Sequence, residues 1–216
     1  MQYNILILLS LLIVLSNIFL LGSSRTGAMI RGVTFQGVVL SLLPLFIPSE
    51  AGKIVELLIL AIISIAIKGF IIPHYLRKVT RNVLTKKELH PYVGYSWSVI
   101  FGLLISYGSF YFIKKLPFMY LSVSSFNTAA AFASIIIGMF IIATRRNIIA
   151  QIIGYLVFEN AGFILGISIA SSQPLFIEIG ILLDLLAGIV IMVVAVTHIH
   201  LYFDSVNSES LERLNK

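Results

Sequence analysis

Long apolar segments dominate this sequence and restrict the folds open to it. A helix needs roughly 20 mostly apolar residues to cross the hydrocarbon core of a bilayer. Seven segments come close to or exceed this length: 4–21, 28–47, 54–76, 93–113, 126–144, 148–170 and 175–201. They are apolar on all sides rather than alternating, which disfavours a membrane β-barrel. The sequence therefore predicts an all-α integral membrane protein, a bundle of about seven transmembrane helices.

The composition excludes most other classes of protein. The chain is 59% hydrophobic and 11% charged, whereas soluble domains average about 45–50% apolar and about 25% charged residues. The net charge of +6 comes from basic residues in short loops beside the apolar segments. Membrane topology accounts for that charge, so we expect no nucleic-acid partner. No phosphate-binding loop, triad or metal signature is present, so we expect no catalytic site in the chain itself.

Cysteine is absent from the sequence, which excludes disulfides, cysteine-ligated iron–sulfur clusters and thiolate zinc sites. The four histidines, His74, His90, His198 and His200, lie at or near the ends of predicted helices. His198 and His200 are two residues apart and would face different ways on a helix, which disfavours a shared metal. We therefore expect no metal or cofactor in this chain.

The basic residues favour one orientation in the membrane, because cytoplasmic loops carry an excess of Lys and Arg. With the N-terminus outside, only Lys53, Lys114 and Lys115 fall outside, and Lys68 lies within a helix. The remaining eleven fall inside: Arg25, Arg31, Arg77, Lys78, Arg81, Lys86, Lys87, Arg145, Arg146, Arg213 and Lys216. The prediction is N-out/C-in, in the cytoplasmic membrane.

The chain divides into three predicted parts. Residues 1–124 form a four-helix membrane part, residues 125–203 form a three-helix part, and residues 204–216 form a cytoplasmic tail. The longest loop, 77–92, is basic. Either it docks on a partner or on anionic lipid headgroups, or it is a solvated loop that sets the topology.

Three ionisable residues lie where the bilayer penalises them, at a cost of at least about 2.5–3.5 kcal/mol for a charge at a helix centre. Lys68 lies nine residues before Arg77, about 13 Å from the inner end of the third helix. An amine at this depth can accept and donate a proton. The alternatives are that it reaches the interface by snorkelling or forms a static ion pair.

Glu159 lies in the sixth helix, twelve residues after Asn147 and therefore about 18 Å deep. Gln151, Tyr155, Gly162 and Gly166 follow the helical repeat on the same stripe. Such a stripe suits a helix–helix contact with a hydrated seam. The alternative to a proton relay is a protonated glutamate that only hydrogen-bonds between helices.

Asp184 lies in the seventh helix, nine residues after Leu175, about 13 Å from the outer end. Gly180 and Gly188 flank it one turn away on either side, so a neighbouring helix can approach closely. Antiparallel packing would bring Asp184 and Glu159 to similar depth. A neutral interhelical hydrogen bond is again the alternative to a relay.

Several further polar residues are possible accessories to an ion path. Glu56 and Glu178 begin the third and seventh helices near the outer interface, where interfacial placement also explains them. His74, His198 and His200 lie toward the inner ends of helices and can collect protons or anchor at the interface. Pro73 should kink or end the third helix.

From residue 142 onward the sequence resembles subunit K of complex I and the C subunit of Mrp-type cation/proton antiporters. The matching residues are Arg145-Arg146-Asn147, Gly154, Asn160-Ala161, Asp184, Gly188 and Asp204-Ser205-Val206. That family carries a membrane glutamate in each of two adjacent helices, implicated in proton transfer. The first aligns on Leu156, one turn before Glu159, and the second aligns on Asp184.

The whole chain resembles component E of hydrogenase-4, a membrane subunit of formate-hydrogenlyase-type complexes. The resemblance lies in Lys68 with Pro73, in the stretch from Arg146-Asn147 through Gly154 to Glu159-Asn160, and in Glu178-Ile179-Gly180-Ile181 before Asp184. It implies a non-redox subunit of a complex I-related, group 4 membrane-bound nickel–iron hydrogenase, with Lys68, Glu159 and Asp184 in a proton or sodium path. Gln151, Tyr155 and Asn160 would be accessory residues.

The resemblance also implies partners. These are membrane subunits of the antiporter-like and H-like kinds found in complex I, together with peripheral hydrogenase subunits that hold the nickel–iron centre and the iron–sulfur clusters. A structural scaffold of the same membrane arm, or a subunit of an Mrp-type antiporter, is the alternative function.

Overall fold

The structure is a computed structural model that describes residues 2–46, 54–82, 91–115 and 124–169. The elements assigned in these ranges are helices: α1 (Gln2–Gly22), α2 (Thr26–Leu42) with a 3-10 turn (Leu43–Phe46), α3 (Ile54–Ser64), a π-turn (Ile65–Ile71), α4 (Ile72–Asn82), α5 (Tyr95–Lys114), α6 (Ser124–Thr144) and α7 (Ile148–Ile169). The predicted all-helical architecture is confirmed for these residues. The predicted seventh span, 175–201, lies outside them.

Six helices of the described part are long and apolar enough to cross a membrane. Five coincide with α1, α2, α5, α6 and α7, and the sixth combines α3, the π-turn and α4. The chain is therefore a multi-pass membrane protein in its architecture. Its predicted orientation stays a prediction.

The third helical run is longer than the sequence suggested. It continues to Asn82, so residues 77–82, expected to begin a loop, are helical. Arg77 and Lys78 are exposed there. Arginine and lysine are good helix formers. The helix can therefore continue beyond its last apolar residue.

The exposed surface of the described helices is largely apolar, unlike that of a soluble protein. Leu8, Leu11, Leu15 and Phe19 form an exposed apolar stripe along α1 at helical spacing. On the inner faces, polar side chains are buried beside the apolar core: Ser10, Asn17, Gln36, Ser41, Asn127 and Ser134. An apolar exterior is stable against lipid, and buried polar groups must then satisfy one another.

Four helices, α1, α2, α6 and α7, form the centre of the described part. α1 packs on α2 and α6, α7 packs on α2 and α6, α5 lies against α1 and α6, and the π-turn and α4 lie against α2. The Ser10 hydroxyl donates to Asn127, and two turns further along each helix the Asn17 amide donates to Ser134. Since both residue numbers rise together, α1 and α6 are parallel, as expected for first and fifth spans.

The backbones of α6 and α7 touch. A Cβ atom added to Gly138 would lie 2.7 Å from the Phe158 nitrogen and 2.9 Å from the Gly154 oxygen. A Cβ on Gly154 would lie 2.9 Å from the Ile142 nitrogen. Real Cβ atoms almost never come this close, so only glycine fits at either position. Small residues allow such close helix packing where lipid removes the hydrophobic drive for association.

We expect Gly138→Ala to destabilise the bundle by about 1–3 kcal/mol, because the added methyl group must push two backbones apart. Gly108→Ala is the matched control, since Gly108 lies on α5 with no atom within 4 Å of an added Cβ. It should be neutral or stabilising by up to about 1 kcal/mol, the helix-propensity gain. Reversible unfolding in mixed detergent micelles, followed by circular dichroism, measures both. Equal effects would contradict the close contact.

Candidate functional site

Lys68 sits in the π-turn that joins α3 to α4. The last turn of this segment is closed by a hydrogen bond from the Ile72 N–H to the Ile67 oxygen. The acceptor lies five residues back, whereas in an α-helix it lies four residues back. Pro73 is the second residue of α4. It has no N–H to donate to the Gly69 carbonyl, and in a regular helix its ring would clash with that carbonyl. The wider turn relieves this conflict, so the helix continues instead of ending at Pro73. Turns of this kind occur often at functional sites.

Gly37 of α2 allows the Lys68 backbone to approach closely. A Cβ atom on Gly37 would lie 2.9 Å from the Lys68 Cβ. The lysine is 5% exposed, and its amine lies 5.1 Å from the centre of the Phe163 ring, a cation–π distance. The amine thus lies inside the bundle.

The amine of Lys68 begins a chain of hydrogen bonds between buried side chains. Lys68 Nζ donates to Asn160 Oδ1 (3.2 Å), and Asn160 Nδ2 donates to Gln36 Oε1 (3.3 Å). Gln36 Nε2 then donates to Asn17 Oδ1 (2.7 Å). Asn17 Nδ2 donates to Ser134 Oγ (2.7 Å). We call these five residues the polar chain.

The polar chain ends on the backbone, where Ser134 Oγ donates to the Ala130 oxygen at 2.7 Å. Its members come from the π-turn, α7, α2, α1 and α6 in that order, so it crosses the bundle laterally. The same helices also bury an apolar cluster that includes Ile13, Leu40 and Phe163. The rest of that buried cluster is Leu6, Leu9, Val39, Leu43, Ala131 and Ile164.

Glu159 precedes Asn160 on α7 and is 7% exposed. The expected stripe partners take different roles. Gln151 is half-buried, and its amide nitrogen donates to the Arg145 oxygen at 2.8 Å, which ties it to the turn between α6 and α7. Tyr155, which lies between Gln151 and Glu159 on α7, is also half-buried. The structure therefore places a buried carboxyl group and a buried amine on segments joined through Asn160.

The other predicted site residues lie apart from this centre or outside the described part. His74 is exposed on α4, its ring edge-to-face with Tyr75 at 6.2 Å. Glu56 lies in the first turn of α3. Four more fall outside the described residues: Glu178, Asp184, His198 and His200. The expected pairing of Asp184 with Glu159 stays a prediction.

Sequence reasoning missed Asn17, Gln36 and Ser134. Two of them are amides inside apolar runs, and each is fully buried. An amide group in an apolar environment without hydrogen bonds costs roughly 2–7 kcal/mol. The signal was therefore present, because an uncharged amide at mid-span depth requires a partner just as a charge does.

The turn between α6 and α7 carries two arginines with opposite placements. Arg145 is 1% exposed, donates to the Leu21 oxygen at the end of α1, and lies 4.5 Å from the Tyr95 ring centre. Arg146 is exposed and lies over the Tyr92 ring at 4.3 Å. A cation at the C-terminal end of a helix is favoured by the helix dipole.

Asn147 completes this turn. Its side-chain oxygen accepts a hydrogen bond from the Ile149 N–H at 2.9 Å, as an N-cap residue does at the start of a helix. The Arg145-Arg146-Asn147 motif is thus explained by local structure: it closes α6, anchors α1 and starts α7.

We expect Arg145→Gln to cost about 1.5–3 kcal/mol, because it removes a charge-assisted hydrogen bond to the Leu21 carbonyl. Arg146→Gln changes the same charge one residue away on the exposed side and should stay within about 0.5 kcal/mol. Unfolding titrations of both variants, run side by side, measure the difference. Similar costs for the two would show that the anchoring contact contributes little.

Comparison with known proteins gives two kinds of similarity. No protein-family model and no solved structure matches the chain. "Uncharacterized protein Rv0085" of Mycobacterium tuberculosis is 22% identical over 203 residues, which cover 94% of the chain and 92% of that protein. Hydrogenase-4 component E of Escherichia coli K12 is 34% identical over 65 residues, 30% of each chain, and the Shigella flexneri protein of the same name gives the same values.

The similarity to component E is therefore shorter than the near-complete resemblance expected from the sequence. The similarity that extends along the chain is to the mycobacterial protein. Taken together, the chain is similar over 94% of its length to an uncharacterized protein, and over 30% of its length to a hydrogenase-4 component.

Proposed function

We propose that this chain is a membrane subunit of a hydrogenase-4-type complex and that its buried ionisable residues form part of a proton or sodium path. The observation that carries the proposal is the burial of the Lys68 amine inside a membrane-spanning bundle, on a π-turn and at the end of a polar chain. The partial similarity to hydrogenase-4 component E supports the kind of complex.

The physical argument begins with cost. A charge at the centre of a membrane helix costs at least about 2.5–3.5 kcal/mol on insertion scales. Lys68 incurs that cost where a methionine or leucine would fill the same space. Its amine donates to the neutral amide oxygen of Asn160. An amine held this way can exchange a proton with a passing water molecule.

The carboxyl group of Glu159 extends the path along α7, and Asp184 in the predicted seventh span continues it. In this proposal Glu56, His74, Glu178, His198 and His200 lie toward the path's entrances. The oxidoreductase chemistry belongs to peripheral partner subunits that hold the nickel–iron centre and iron–sulfur clusters. The membrane partners are of the antiporter-like and H-like kinds found in complex I, and the location is the cytoplasmic membrane.

A scaffold role in the same membrane arm is the second candidate function. It is favoured by the way the described helices interlock: the polar chain and the Arg145 anchor tie α1 to α6 and to the turn before α7. An Mrp-type antiporter subunit is a further variant, in which the same path serves a complex without redox partners.

The test uses the assembled complex in inverted membrane vesicles. Lys68→Met, Glu159→Gln and Asp184→Asn should each lower proton uptake per turnover by about tenfold or more, since each removes a positioned proton carrier. Arg146→Gln is the control, because it removes an exposed charge from the turn between α6 and α7, before the helix that carries Glu159. Uptake is read with a pH-sensitive dye, and sodium uptake with a radioactive tracer.

The amount of assembled complex, read on native gels, separates the candidates. Normal assembly with lost uptake supports the ion path. Lost assembly in the three variants supports the scaffold. Unchanged uptake per turnover in all three would overturn the ion-path proposal.

A further inference from the structure

The polar chain has one direction from end to end. Every side chain between Lys68 and Ser134 accepts from its neighbour on the lysine side and donates to its neighbour on the serine side. Asn17, Gln36 and Ser134 are fully buried, so water cannot replace a lost partner without entering the bundle.

The two ends determine this direction. An ammonium group has three donors and no acceptor, so Asn160 must turn its oxygen toward Lys68. At the other end the Ser134 hydroxyl donates to the Ala130 oxygen, which leaves its oxygen to accept from Asn17. Reversing any single amide would face two N–H groups or two oxygens at one contact. The orientation is therefore a property of the chain as a whole.

Such a chain responds to the charge at its end. Hydrogen bonds from an ionised donor are roughly twice as strong as neutral ones, and aligned hydrogen bonds polarise one another by about 10–30% per bond in estimates for condensed phases. A proton on Lys68 thus strengthens the contact to Asn160 first and then each contact beyond it. The loss of that proton weakens them in the same order.

We propose that Asn160, Gln36, Asn17 and Ser134 are one positioning unit, which fixes the Lys68 amine and transmits its charge state across the bundle to the α1–α6 pair. Asn160 touches the amine, and the other three act through it. The link between Lys68 charge and α1–α6 packing holds for the isolated chain. Its role in ion transport rests on the function proposed above.

A double-mutant cycle tests the unit without any transport assay. Lys68→Met and Ser134→Ala are made singly and together, and the equilibrium constant of unfolding is measured in mixed micelles. Three members of the polar chain separate Lys68 from Ser134. Residues more than about 7–10 Å apart that share no partner normally act independently. The unit predicts that the combined effect differs at least about threefold from the product of the single effects, whereas the usual additivity error is about twofold.

Ser106→Ala is the matched control for Ser134→Ala. Both serines are buried, and each donates to the carbonyl four residues before it at 2.7 Å. Ser134 differs in that it also accepts a hydrogen bond from Asn17. Lys68→Met with Ser106→Ala should be additive. Gln36→Met, which keeps length but removes both hydrogen bonds, should make Lys68→Met and Ser134→Ala additive as well.

Nitrogen-15 spectra of lysine-labelled protein in nanodiscs give a second readout that does not depend on unfolding. The Lys68 signal, assigned by its loss in Lys68→Met, should shift in Ser134→Ala and in Asn17→Leu, and stay in place in Ser106→Ala. Additive cycles together with an unmoved Lys68 signal would overturn the unit. A vesicle experiment without proton uptake would leave this result intact, so the two proposals fail separately.

Discussion

The contact between the backbones of α6 and α7 is the constraint on which the rest of the bundle depends. At Gly138 and Gly154 the two helices leave no room for a single carbon atom. This fixes how Ser134 on one helix and Asn160 on the other are spaced. Short side chains on α6, Ala129, Ala130 and Ala133 among them, are also fully buried. The neighbouring helices can therefore approach α6 closely, and the gaps between them become narrow enough for side-chain amides to span.

Because the gaps between these helices are narrow, their buried polar side chains can hydrogen-bond to one another. In a wider interior, Asn17 and Gln36 would need water to satisfy their amides, because lipid offers no partner. Here each amide meets another at hydrogen-bonding distance, and the apolar cluster around Ile13, Leu40 and Phe163 packs beside them. The two kinds of core meet at Lys68, whose amine donates to Asn160 and lies 5.1 Å from the centre of the Phe163 ring.

Apolar length predicted the helices well, because the requirement of the bilayer is nearly independent of neighbours. Depth predicted the burial of Lys68 and Glu159 for the same reason. The partners of Lys68 could not be predicted, because they come from helices far apart in sequence and depend on how those helices rotate. The π-turn was hidden too: Pro73 signalled a disturbed helix, but whether it breaks, bends or widens is decided by what packs against it. On α7, the glycine in close contact with α6 is Gly154. It lies one residue before Tyr155, a member of the predicted polar stripe.

The two matched contacts between α1 and α6 join residues 117 positions apart. At a ribosomal rate of 5–20 residues per second, the first helix is made between about 6 and 23 s before the helix that receives Ser10 and Asn17. During that interval α2 can already supply Gln36 to Asn17, while Ser10 lacks its final acceptor. The newly inserted N-terminal helix must therefore stay near the insertion machinery, or wait in lipid half-satisfied, until the fifth span arrives. Assembly of this bundle is therefore completed late, when α1, the first helix to be synthesised, packs against α6.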